Sequence, residues 1–386
     1  MHYSVNDIII ALTAFEVCGK TIPNDLRESV TEEMLNEIYK ISKLNGIVGV
    51  ISQALSKSKI AENFKGEAIK KFIDAQLFDV YRVHCIEYEL DRIRGALEKA
   101  KIPFIPLKGS VIRKYYPEPW MRTSCDIDVL IHKEQLDYAI KYLTEKLNYK
   151  VFKNSYHDVS LLSESKVHLE LHFDLIEENN YPKISNILSN AWDYARKSEG
   201  YEFMYELSDE LFYFYHIAHM VKHFEVGGCS VIPILDLWLL NKNIEYDIVK
   251  RDALLEKGGL LKFSEAIQNL AEFWFSGAEA DELTISLKDY ILNESSEKGI
   301  AIQQCKKGGK FKYAVSRIFY PYNSLKYQYP IIKKYKILTP AFEVVRWVKI
   351  ISAKRVGYAI DELRANSTTS KEQFDSTASL LMKLGL

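Results

Sequence analysis

The sequence has few cysteines, almost no net charge, no repeat and no long apolar run. Five cysteines occur in 386 residues: Cys18, Cys85, Cys125, Cys229 and Cys305. Their number is odd, their spacing is wide and no CxxC pair is present. That argues against a disulfide framework or a zinc ribbon and fits a reducing cytoplasm. Lys+Arg is 51 and Asp+Glu is 52, a formal net charge of -1. A uniformly basic nucleic-acid coat is thereby excluded, while a local basic patch is not. The longest apolar stretches are broken by His216, His219 and His223 in one and by Asp236 in the other. Neither approaches the ~20 apolar residues of a membrane-spanning helix. No basic segment precedes the apolar run at Ile8–Leu12, so no signal peptide is expected.

What is present is the composition of a folded chain. Hydrophobic residues make up 47% and charged residues 27%, which excludes a disordered chain unable to offset its entropy by burial. Residues 1–100 read as an N-terminal helical region. Within it, Glu67–Lys99 carries Ile69, Ile73, Leu77, Val80, Ile86, Leu90, Ile93 and Leu97 at helical spacing, one stripe of a long helix. Shorter helices are expected near Ile8–Phe15 and Met34–Ile41, the second capped by Thr31. Residues 101–185 form an α/β core. Ile102–Leu107 suits an edge strand because it holds two prolines. Asp126–Ile131, Tyr149–Phe152, Val159–Leu162 and Val167–Leu175 read as further strands, with a helix marked by Leu136, Ile140, Leu143 and Leu147. Residues 186–300 are helical again, and 301–386 form a basic helical region whose Ser/Thr-rich tail after Arg364 is expected to fray. The fold class is therefore α+β, with helical regions flanking a small mixed sheet.

The chemistry concentrates in the core. Asp126 and Asp128 stand at i and i+2, so on a strand both carboxylates share one face while Ile127 and Val129 point to the other. Two adjacent carboxylates repel unless a cation lies between them, and Mg²⁺ takes oxygen ligands of this kind. On Val167–Phe173 the alternation places His168, Glu170 and His172 opposite Val167, Leu169, Leu171 and Phe173, so Glu170 is a third candidate carboxylate. Gly109-Ser110, between a strand and a helix start, suits close approach of a phosphate to backbone N–H groups. Lys108 and Arg122 supply positive charge nearby, and Arg122 could take a phosphate bidentately.

The run IPFIPLKGSVIRKYYPEPWMRTSCDIDVLI followed by VHLELHFDL resembles the polymerase-beta-like nucleotidyltransferase superfamily, and within it a branch of uncharacterised bacterial nucleotidyltransferases. HMVKHFEVGGCSVIPILDLW is similar to the same branch. Fifteen residues (111–125) separate Ser110 from Asp126, more than in compact members of the superfamily. The resemblance implies a nucleotidyltransferase-type sheet and transfer of a nucleoside monophosphate from an NTP, taken to be ATP, to an acceptor hydroxyl. It implies two Mg²⁺ ions, with Mn²⁺ as a substitute, held by Asp126, Asp128 and Glu170 as catalytic and metal-binding residues. Lys108, Gly109, Ser110 and Arg122 would bind the nucleotide. His172, His219, Lys222, His223 and Asp236 are candidates for lining the substrate.

Other readings stay open. A glycosyltransferase could use D-x-D to hold a nucleotide-sugar, and a non-catalytic protein could bind a nucleotide at a decayed site. The acceptor (small molecule, sugar, peptide or protein) and the oligomeric state are not legible. Residues 301–360 hold 13 Lys+Arg and one acidic residue, Glu343, interleaved with aromatics such as Phe311, Tyr313, Phe319 and Tyr320. That mixture suits contact with a polyanion or a membrane surface, or else a solvated face whose aromatics pack inward.

Overall fold

The computed structural model describes residues 3–155, 157–177, 180–227, 229–292, 296–320, 322–329, 331–352 and 356–386. Ser4 opens the first helix, α1 (Val5–Cys18), with a capping box: its hydroxyl accepts from the Asp7 N–H, and the Asp7 carboxylate accepts from the Ser4 N–H. Thr31 caps α2 (Glu32–Leu44) by accepting from the Met34 N–H. α3 (Val48–Lys57) packs against both α1 and α4 (Glu67–Lys99). α4 has 33 residues and is about 50 Å long at ~1.5 Å per residue. Its expected stripe is buried only in part. Ile86, Leu90, Ile93 and Leu97 are buried, but Ile73 and Leu77 are 48% and 63% exposed. The sheet covers the C-terminal half of α4, and α2 and α3 also pack against α4.

The middle of the chain builds a five-stranded mixed sheet. Its elements are β1 (Phe104–Pro106), α5 (Gly109–Ile112), β2 (Asp126–Ile131), α6 (Leu136–Leu147), β3 (Lys150–Asn154), β4 (Asp158–Leu162) and β5 (His168–His172). The strand order is β1-β2-β5-β4-β3, with β2 and β5 parallel and all other pairs antiparallel. β1 lies at the edge, where the missing N–H of Pro106 is tolerated.

Alternation along the strands separates two faces. Ile127, Val129, Ile131, Val159, Leu161, Leu169 and Leu171 form one core with Ile86, Leu90, Ile93 and Leu97 of α4 and Ala139 and Leu143 of α6. The opposite face carries Asp126 and Asp128, then His168, Glu170 and His172, then Asp158, Ser160 and Leu162. Strand register aligns Asp126 with His168, Asp128 with Glu170, and Asp158 with His172.

A short hairpin, β6 (Ala195–Lys197) and β7 (Tyr205–Leu207), leads into the second helical region. Its main members are α7 (Asp209–Phe224), α8 (Val231–Asn243), α9 (Leu261–Ser276) and α10 (Ser296–Lys307). Their buried apolar residues merge with those of α1–α3 into one large core. The tail departs from expectation. It does not fray but ends in α11 (Lys371–Leu384), opened by a capping box at Ser370 and Gln373. Leu380, Leu381 and Leu384 are buried in the helical core, and α11 packs on α10 and α9. That apolar trio and the cap outweigh the weak helix preference of the Ser/Thr-rich segment before it. Among the described residues, no helix is long and apolar enough to cross a membrane.

Candidate active site

The polar face of the sheet meets the second helical region along α7. β2 and β5 lie parallel, so Asp128 and Glu170 are direct neighbours across the two strands. Asp128 is 3% exposed. Its Oδ1 accepts from the Lys108 ammonium at 2.7 Å and from His172 Nε2 at 2.8 Å. Burial alone would raise the Asp128 carboxyl, but the Lys108 charge and the His172 hydrogen bond hold it well below the usual carboxylate range. At Asp126 the charges of Lys108 and Arg122 offset burial only in part. Burial, then the Asp128 charge, pushes it up to about 6. Glu170 lies 3.5 Å from His172 Nε2, and that contact lowers its pKa against the effect of burial. Burial works against a charged His172, but its bonds to Asp128 and Glu170 raise it.

Lys108 reaches Asp128 through an unusual backbone. Its φ of 46° and ψ of -119° lie where residues with a side chain are rarely found. The turn is pinned by the Leu107 N–H, which donates to the Asp128 carbonyl at 3.0 Å. α5 then runs for only four residues. The Ser110 N–H donates to Leu107 O and the Val111 N–H to Lys108 O, so these first-turn amides are already engaged. Gly109 is required for a different neighbour than expected. A Cβ there would stand 2.5 Å from an Arg122 guanidinium nitrogen.

Arg122 itself faces inward. Its guanidinium bonds both Asp236 oxygens, at 2.8 and 3.3 Å, and the Tyr116 hydroxyl donates to Asp236 Oδ1 at 2.7 Å. Asp236, on α8, has no exposed surface. Its carboxylate is taken up by Arg122 and Tyr116 and is not open to a ligand. The segment between α5 and β2 is thus tied to α8 by a buried ion pair.

α7 supplies the facing wall. His219 and His223 approach with Nε2 atoms 3.2 Å apart. Burial, then the nearby Lys108 charge, lowers both below the usual imidazole range. His216 turns away, bonded to the Pro233 carbonyl at 2.9 Å. Lys222 is paired with Glu177 at 3.0 Å. Tyr215 escaped the sequence reading because it sits inside the apolar run Leu211–Tyr215. Its hydroxyl is buried without a hydrogen-bond partner. Lys108, Asp128, Glu170 and Asp126 all act on it electrostatically. Its signal in the sequence was the four-residue spacing Tyr215, His219, His223. His157 and Asp158 were also missed, because they lie where a loop enters β4.

The donor set suits a divalent cation. Asp128, Glu170 and His172 bring ligand atoms within 4.8 Å of one another. Asp126 stands outside that group, on the same face of β2. Burial, with the Asp128 and Glu170 charges beside it, pushes its carboxyl up to about 6, and a bound cation would favour its charged form.

No curated protein and no solved structure matches the chain. A family described as uncharacterised nucleotidyltransferase matches residues 31–276. That span opens at the cap of α2, contains every residue of the site, and closes on the last residue of α9. It covers more than half of the sequence, and the chain belongs to this nucleotidyltransferase family.

Proposed function

We propose that the protein transfers a nucleoside monophosphate from an NTP to an acceptor hydroxyl in a Mg²⁺-dependent reaction. The observation that carries this is the convergence of Asp126, Asp128 and Glu170 on one face of two parallel strands. Asp126, Asp128 and Glu170 would hold the metal. When bound, Mg²⁺ offsets phosphate charge and makes the acceptor hydroxyl more acidic.

The chain's own groups do the rest. Glu170, partly open to solvent, takes the proton of the acceptor hydroxyl as its oxygen bonds the α-phosphorus. The bond from that phosphorus to the bridging oxygen of the β-phosphate breaks, and pyrophosphate leaves. His172 orients Asp128 through the 2.8 Å contact. Lys108, Ser110 and the Tyr215 hydroxyl meet the phosphates from the β1–α5 turn and from α7. His219 and His223 stand on the facing wall as neutral imidazoles. Arg122 and Asp236 position the Gly109 turn from behind and do not touch the substrate. ATP is the first donor to try.

In the basic C-terminal region part of the positive charge is taken up by ion pairs. Lys306 pairs with Glu225, Arg317 with Glu362 and Arg346 with Glu343.

The test is thermal stability with each of the four NTPs, with and without Mg²⁺, followed by label transfer from α- and γ-labelled donor. Ligand at 100 times its Kd adds about 2.7 kcal/mol. A Mg²⁺-dependent rise for one nucleotide and transfer of the α-label are expected. Asp128→Asn should reduce turnover by on the order of 10²–10³-fold, since metal charge stabilisation is worth several kcal/mol. Transfer of the γ-label instead would establish a phosphoryl transferase, and full turnover in Asp128→Asn would remove the carboxylates from the mechanism.

A further inference from the structure

Next to the carboxylate triad, on the same face of the sheet, lies a second group that shares His172 with the donor set described above. Asp158 opens β4 and pairs in register with His172 of β5, so their side chains share one face. His157 precedes Asp158, and its Nε2 lies 3.3 Å from Asp158 Oδ2. The His157 and His172 rings are 5.6 Å apart. One ligand atom from each of His157, Asp158 and His172 falls within 4.8 Å of the others. All three side chains are buried or nearly so, at 12%, 8% and 3% exposed.

Hydrogen bonding leaves this group incomplete. His172 commits Nε2 to Asp128, which leaves Nδ1, and that nitrogen is buried without a hydrogen-bond partner. His157 Nδ1 makes no hydrogen bond but lies 3.6 Å from a Glu177 carboxylate oxygen. Of these, His172 Nδ1 is the atom that shares a face with Asp158, and a buried polar atom of this kind is otherwise satisfied. Tetrahedral ligands about 2.1 Å from a zinc ion lie about 3.4 Å from one another, close to the His157–Asp158 separation.

We infer that His157 Nε2, Asp158 and His172 Nδ1 form a site for a Zn²⁺-type transition-metal ion, separate from the Mg²⁺ ligands. Two imidazoles and one carboxylate suit zinc, whereas Mg²⁺ prefers oxygen alone. Both histidines would then show the carboxylate–histidine–metal arrangement of ordinary zinc sites. His172 turns its other nitrogen to Asp128 at 2.8 Å, and His157 turns its own to Glu177 at 3.6 Å. The opposing charges are Lys222, bonded to Glu177 at 3.0 Å, and Lys108, bonded to Asp128 at 2.7 Å, and each is balanced by its carboxylate. An ion on Nδ1 fixes His172 in the tautomer that donates from Nε2 to Asp128, so it sets the orientation of a triad carboxylate. The site stands on its own residues and does not depend on the reaction proposed above.

The experiment is Zn²⁺ titration of the full chain by calorimetry in saturating Mg²⁺, with Co²⁺ absorption as the spectroscopic probe. Wild type should take up one Zn²⁺ per chain that Mg²⁺ does not displace. Bound Co²⁺ should show the visible band of a low-coordinate, histidine-ligated ion, abolished by Zn²⁺. His157→Ala and Asp158→Asn should each weaken uptake by at least 10–100-fold, the range for disturbing even an outer partner of a ligand. Asp126→Asn should bind Zn²⁺ as wild type does. No uptake beyond Mg²⁺ overturns the site. So does uptake unchanged in His157→Ala, or lost in Asp126→Asn and kept in His157→Ala, which would place the ion on the triad. If a variant does not fold, the wild-type stoichiometry and Co²⁺ band decide alone. Failure to find an NTP substrate would leave every one of these readouts unchanged.

Discussion

Asp79 on α4 accepts from the Gly49 N–H at 3.2 Å and is otherwise pressed against the N-terminal helices. Burial pushes its carboxyl up to about 6, only partly offset by that hydrogen bond. The unfolded carboxyl titrates at about 3.9. Between these values the folded protein holds the extra proton, so its stability falls as pH rises through the window and is level above it. Asp79→Asn removes the penalty and keeps the acceptor for Gly49. Thermal melts should show the variant more stable by on the order of 1–2 kcal/mol at neutral pH, after allowance for the solvent that reaches the group. The two proteins should converge at about pH 4. A difference independent of pH would mean that Asp79 does not titrate in this range. Gly49 cannot vary with it, because a Cβ there would stand 2.7 Å from Asp79 Oδ2.

At the scale of elements, the link between the α5–β2 segment and α8 is the most exposed to mutation. Asp236→Asn would leave the Arg122 guanidinium buried beside a neutral partner. Losing one side of a buried pair costs about 3–5 kcal/mol, and urea unfolding should show a loss of that size. The same variant should lower turnover through misplacement of the Gly109 turn, with the change in kcat exceeding that in KM. A loss of stability without any change in kcat would separate the pair from the site. The last helix offers a smaller test. Ser370→Ala removes the capping box of α11 and should cost about 1 kcal/mol in a chemical melt.

At the scale of the molecule, two cores share the site between them. The sheet core is closed by α4 and α6, and the helical core runs from α1 through α9 to α11. Residues beyond the family span thus still contribute to the helical core that supports α7. Leu384 has no exposed surface. Leu384→Ala should cost about 2–5 kcal/mol, the usual range for a buried leucine, read as a lower urea midpoint. An effect within a few tenths of a kcal/mol would show that the C-terminal helix is dispensable to the fold.

The local order of the chain was legible without coordinates wherever a short-range rule governs it. Thr31 announced a helix start, the two prolines announced an edge strand, and alternation put Asp126 and Asp128 on one face. The order of motifs from Lys108 to Asp236 was enough to suggest the family that residues 31–276 match. Three things required the tertiary structure. The parallel pairing of β2 with β5 sets Asp128 beside Glu170, and pairing partners far apart in sequence carry no local signal. Arg122 and Asp236 lie 114 residues apart, so nothing in either segment showed that one carboxylate would absorb the other's charge. Tyr215 and the His157–Asp158–His172 group gain meaning only from what faces them across the sheet. Periodicity determines which face a side chain takes; only packing decides what that face meets.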